Sequence, residues 1–128
     1  MPFTHHYDPE TNVLYLTATG ALEDEEAIAY AQKLAADGSI PPGRSELADF
    51  SQANLGSLSA DALRRIAGVF QRHDVDPGHS RVALVVSGDL GFGLARMYQA
   101  FRSESAIQLR VFRDLAAARE WLGLGPAT

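Results

Sequence analysis

The chain contains no cysteine. That absence removes disulfides, thiol nucleophiles, iron–sulfur clusters and cysteine zinc sites together. Lysine is almost as scarce: of eleven basic side chains, Lys33 alone is not arginine. Sixteen acids outnumber those bases, for a formal charge of −5 at pH 7. Nucleic-acid binding calls for the opposite balance, because phosphate contacts supply much of the affinity. No apolar run approaches the roughly 20 residues that cross a bilayer; the longest is Val82 to Val86. The N-terminal Met-Pro-Phe-Thr-His-His-Tyr-Asp is polar and lacks the apolar core of an export signal. No stable membrane insertion is expected, and the expected location is the cytoplasm.

What remains is an ordinary globular composition. At 128 residues, 46% hydrophobic and 21% charged, the chain suits one compact domain over 1–128 that buries its own core. The charge is unevenly spread. Residues 1–64 hold ten acids and three bases, and residues 65–128 hold six acids and eight bases. Solvated helix faces explain such a split; an acidic half facing a basic surface, a second copy included, explains it too.

The pattern of side chains alternates between strand and helix. Phe3 to Tyr7 and Val13 to Thr19 read as a hairpin around the turn Asp8-Pro9-Glu10-Thr11-Asn12, with Gly20 ending the second strand. Ala27, Ile28, Ala31, Leu34 and Ala35 then recur at helical spacing, with Asp24 as the expected cap. Glu46 to Phe50 reads as a short strand and Ser51 to Ser57 as a polar turn. Ser59 precedes a helix whose face carries Leu63, Ile66, Ala67 and Phe70. Val82 to Val86 has the continuous apolar character of a strand covered on both faces. The glycine-rich Ser87 to Gly91 leads to a helix with Leu94, Met97 and Phe101 as expected core. Leu109 to Phe112 forms a last strand, and Asp114 caps a last helix ended by Gly123. Strands alternating with helices call for right-handed crossovers and a mostly parallel sheet.

This order of elements resembles the SpoIIAA-like, or STAS, domains, including the small stand-alone bacterial proteins called STAS/CRAL-TRIO-like. The resemblance is carried by Arg81 to Gln99, similar to the family's central strand and following helix. Val111-Phe112-Arg113-Asp114 with Ala117 to Leu122 is similar to its closing strand and helix. It implies an α/β fold: a mixed, mostly parallel sheet of about five strands with an N-terminal hairpin and four helices. It also implies action through protein contact, with a homodimer as one form, or carriage of a small apolar or lipid-like ligand. Antagonist STAS domains are switched by phosphorylation of a serine at the start of the helix after the third strand, within an Asp-Ser-Ser-Gly pattern. Here Ala48-Asp49-Phe50-Ser51 matches the strand end, but Gly56-Ser57-Leu58-Ser59-Ala60-Asp61 departs from that pattern. Ser57 and Ser59 stand in roughly the right place, and helix capping by Ser59 is the plainer role.

No catalytic constellation emerges. Gly88 to Gly93 lies where open α/β sheets bind ligands, and Arg96 follows it one turn on. Its spacing matches neither the Walker loop nor the dinucleotide fingerprint, and Gly93 is accounted for by tight helix packing alone. His5 and His6 alternate across a strand and cannot chelate one metal together. His73, Asp74, Asp76 and His79 make only a loose metal cluster. Tyr15, Tyr30, Phe50, Phe92, Tyr98 and Trp121 could line an apolar cavity, with Tyr98 and Phe92 able to face a pocket or partner together. The expected ligand or partner surface is thus Asp49, Ser57, Ser59, Gly88, Asp89, Gly91, Phe92, Arg96 and Tyr98. No catalytic residue, metal or cofactor is assigned. An enzyme would need Asp49, Asp89 and Arg96 to converge.

Overall fold

Side-chain alternation in the opening hairpin sets the two faces of the sheet. In the computed structural model, which describes residues 2–72, 80–103 and 107–126, β1 (Phe3–Asp8) pairs antiparallel with β2 (Val13–Ala21). Phe3 opposite Ala18, His5 opposite Leu16 and Tyr7 opposite Leu14 point to one face. Thr4 opposite Thr17 and His6 opposite Tyr15 point to the other. The Asp8 carboxylate closes the turn by accepting from the Glu10 amide and the Thr11 hydroxyl.

Parallel strands follow: β3 (Ser45–Asn54), β4 (Arg81–Val85) and β5 (Gln108–Phe112), in the sheet order β1-β2-β3-β4-β5. Each crossover steps one strand in the same direction. Right-handed connections therefore put α1 (Asp24–Ala35), α2 (Ala60–Gln71) and α3 (Gly88–Phe101) on one face. After the edge strand β5, the short α4 (Leu115–Trp121) folds back over the other face. The expected five strands, hairpin and four helices are all present. The covering of the two faces is unequal: α4 packs Ala118, Leu115 and Trp121 on Val13, Leu47, Ala83 and Val85, while Thr4, His6 and Thr17 stay exposed.

Leu14, Leu22, Leu34, Val85 and Val86 are the largest fully buried side chains, each contributing about 1.5–3 kcal/mol by leaving water. The end of the opposite face is closed by aromatic contacts. The Arg81 guanidinium lies 5.3 Å from the Trp121 ring centroid and donates to the Trp121 carbonyl, and Phe112 packs beside the same ring at 5.7 Å.

Several local expectations are corrected. β2 runs through Gly20 to Ala21, because Gly20 takes a left-handed φ of 76° that keeps the strand paired past a register shift. Ser51 to Asn54 is strand, not turn: Gln52, Ala53 and Asn54 pair with Thr19, Gly20 and Ala21 beyond the end of β4. The α1 N-cap is Glu23, with no side-chain cap bond, since the Asp24 carboxylate is used elsewhere. Gly88 to Gly91 is not a loop but the first turn of α3, and Gly93 is exposed with open space around its α-carbon, so tight packing does not account for it. Met97 is 38% exposed rather than core. The expected caps Ser59, on the Ala62 amide, and Asp114, on the Ala116 amide, are present. His73, Asp74, Asp76 and His79 lie outside the described residues, as does the expected turn at Asp76-Pro77-Gly78.

Candidate functional site

The carboxyl ends of the parallel strands form a rim, built by the β3–α2 turn, the start of α3 and the segment after β5. Asp49 sits just inside it. Its Oδ1 accepts from both the amide and the hydroxyl of Ser51, two residues on, and so steadies the extra residue that shifts the β3 register. The Ser51 carbonyl in turn accepts from the Ser87 hydroxyl, tying β3 to the entry of α3. Ser57 stands exposed in the following turn.

Ser59 bridges two helices. Its amide and hydroxyl donate to the two oxygens of Asp24 at 2.9 and 2.7 Å, while its Oγ accepts from the Ala62 amide. These Ser59 bonds, backbone first, hold the Asp24 carboxyl below the usual carboxylate range.

At the start of α3, Gly88 takes a φ of 74° that turns the chain out of β4. Asp89 points away from the helix end toward Arg113, with Oδ1 3.0 Å from Nη1. A carboxylate in that position makes the segment a poor cradle for an anion. Two guanidiniums lie over Phe92, Arg113 at 4.2 Å and Arg96 at 6.0 Å from its ring centroid. Gly91 is buried, and a Cβ there would meet Val86 and Leu55 only at ordinary contact distance. The sequence did not single out Leu90, which stands 64% exposed beside Gly56. Leu90 and Met97 lie seven positions apart, about two helical turns, on one flank of α3. Asp49, Asp89 and Arg96 do not converge: Asp49 is held by Ser51, Asp89 by Arg113, and Arg96 lies by Phe92.

Tyr98 parts company with Phe92. It faces inward, to an apolar cavity of about 100 Å³ between the sheet and α1, α2 and α3. Of the six aromatic residues considered for such a lining, Tyr30, Phe50 and Tyr98 take part, joined by Phe3 and Phe70. Tyr15 stacks with His6 on the opposite face, Trp121 belongs to α4, and Phe92 belongs to the rim.

One polar chain beside this cavity was invisible as a motif. The Tyr30 hydroxyl is hydrogen-bonded to His5 Nδ1, and His5 Nε2 lies 3.6 Å from Asp37 Oδ2. Burial, and then the Glu46 carboxylate, push the Tyr30 phenol up, so it stays protonated. Hydrogen bonds from Ser39, with a smaller contribution from His5, hold Asp37 below the usual carboxylate range. The inward position of His5, between Phe3 and Tyr7, was the only sequence signal for it. Among the described residues no cluster of three or more His, Asp or Glu could hold a metal ion, and no helix is long and apolar enough to cross a membrane.

No protein-family model matches the chain, and no curated protein matches it. Solved structures do. An uncharacterized protein from the DUF3478 family of Shewanella loihica PV-4, with a SpoIIAA-like fold, is 22% identical, with a TM-score of 0.60 over 94% of this chain and 93% of that one. An anti-sigma factor antagonist from Mycobacterium paratuberculosis is 14% identical, with a TM-score of 0.63 over 94% of each chain. With its hairpin, five-stranded mixed sheet and four helices arranged as in these two proteins, the chain has the SpoIIAA-like α/β fold.

Proposed function

We propose that the protein is a non-enzymatic, cytoplasmic STAS-like module that regulates through protein contact at the rim. The observation that carries this reading is Leu90, a large apolar side chain 64% exposed at the start of α3, with Met97 on the same flank. A leucine so placed contributes nothing to the core, whereas a contact that covers it gains about 25 cal/mol for each Å² of apolar surface removed from water. Around it stand groups suited to a polar margin: Ser57, Asp89, Arg113 and Arg96. The fold shared with an anti-sigma factor antagonist, a protein named for its action on another protein, supports the reading. The partner is another protein or a second copy. The Ser59 hydroxyl, as cap and Asp24 partner, serves the fold first.

The test is native affinity capture from the host, with sedimentation of the purified chain, on wild type and Leu90→Asp. Wild type is expected to hold a specific partner, or to self-associate, and Leu90→Asp to weaken that contact at least tenfold with an unchanged circular dichroism spectrum. Equal association by both proteins, or none by wild type, overturns the reading.

A further inference from the structure

The space between the sheet and the three helices persists although its walls are apolar. A void deprives its lining of dispersion contacts, and a core free to relax closes it. Here Tyr30 is fixed at both ends: its hydroxyl is bonded to His5, which sits beside Asp37, and its ring stacks on Phe3 with centroids 4.6 Å apart. Phe50 meets Phe3 edge-to-face, with ring centroids 6.4 Å apart. One wall of the cavity is thus an interlocked aromatic set that cannot slide inward without breaking a part-buried hydrogen bond.

We propose that this cavity is a binding site for a compact, uncharged aromatic molecule of one six-membered ring. Size points there first. A dry cavity of about 150 Å³ is known to take benzene, whereas sites for drug-sized ligands enclose roughly 300–1,000 Å³. The volume of about 100 Å³ belongs with the former. Chemistry points the same way. The lining is overwhelmingly aliphatic and aromatic, and its rings offer edge-to-face contacts worth about 0.5–1.5 kcal/mol beyond area. Arg102 and Glu46 also reach the lining. The Arg102 guanidinium lies over the Phe70 and Tyr98 rings and donates to the Tyr98 hydroxyl, so its charge is directed at the wall. The Glu46 carboxylate, near enough to push the Tyr30 phenol up, disfavours an anion. The cavity lies beneath the rim and reaches Leu55 and Leu58 of the β3–α2 turn, but the exposed flank is not part of it: α3 sends Leu94 and Tyr98 to the cavity and Leu90 to solvent.

The experiment is a titration of the methyl-labelled full chain with benzene, and with benzoate in parallel. Expected are saturable shifts at the Leu16, Leu63, Leu84 and Leu94 methyls, a still Leu90, no response to benzoate, and a Tm higher by roughly 3–8 °C at ten times Kd. No saturable shift at those methyls, an equal shift at Leu90, or benzoate binding as tightly as benzene overturns the proposal. Ala48→Leu, which fills the floor, should weaken benzene at least tenfold. Because an overpacked core can fail to fold, Phe50→Leu serves as the second variant. It enlarges the cavity and should reverse the preference, taking p-xylene over benzene; an unchanged preference overturns the proposal. None of these readings depends on a partner at Leu90, so the two proposals fail separately.

Discussion

The molecule uses aromatic rings in two opposite settings. Under the helices, Phe3, Tyr30 and Phe50 lock against each other, and the one polar atom among them is bonded to His5. At the rim, Phe92 is half-buried and packed against the Arg113 and Arg96 guanidiniums. The inner set works by area removed from water and by fixed geometry; the outer set holds two cations in place at a surface. Stability should therefore depend on the interior and recognition on the rim. Leu14 and Leu90 test this most strongly. Leu14 is fully buried, and Leu14→Ala should cost about 2–5 kcal/mol in urea unfolding. Leu90 is 64% exposed, and Leu90→Ala should stay within about 0.5 kcal/mol. Similar losses from both would erase the distinction.

Ser59 sits where the two settings meet, so its replacement gives a smaller effect of mixed kind. Ser59→Ala removes an N-cap, worth about 0.5–2 kcal/mol, and deprives Asp24 of a hydroxyl donor. The pH dependence separates the two losses. Asp24 titrates below its ordinary 3.8 because of Ser59, and a lowered folded pKa means stability that is present above 3.8 and lost as pH falls through the folded value. In thermal melts the deficit of Ser59→Ala should be largest near neutrality and narrow below pH 3.8, leaving the cap loss alone. A deficit constant with pH would show that Ser59 acts only on α2.

These residues also show where the sequence was legible. Ser59 as a cap, Asp114 as a cap, the opposed faces of His5 and His6, and the buried run into Val86 follow from spacing and side-chain type, because each depends on neighbours within one turn or one strand. The misplaced features depend on distant partners. Asp24 looks like a cap until Ser59, thirty-five residues later, takes its carboxylate. Ser51 to Asn54 looks like a turn because it is polar, and Gln52 to Asn54 pair, among the described residues, with the outer end of β2 alone. The site divided in the same way. Asp49 and Tyr98, both expected on one ligand or partner surface, part company: Asp49 serves a register shift and Tyr98 lines an inner cavity. Met97 escaped because its helical spacing with Leu94 and Phe101 places it on a plausible core face, and Leu90 because it falls in a glycine-rich stretch that reads as a turn; only the position of α3 against the sheet exposes them.

The smallest expected effect lies at the rim itself. Asp89 and Arg113 form an ion pair at 3.0 Å with side chains 98% and 50% exposed. Pairs so wet contribute about 0–1 kcal/mol, and salt screens them. Asp89→Asn should therefore move the urea midpoint only slightly, and by nothing measurable in 1 M NaCl, where the Debye length falls to about 3 Å. Its consequence belongs to recognition: without the carboxylate, Arg113 keeps its place over Phe92 but presents its whole charge outward. A partner with an acidic contact surface should then bind Asp89→Asn more tightly than wild type at low salt, and one with a basic surface less tightly. If neither association nor stability responds to Asp89→Asn at low salt, the charged part of the rim lies outside the contact, and only the Leu90–Met97 flank belongs to it.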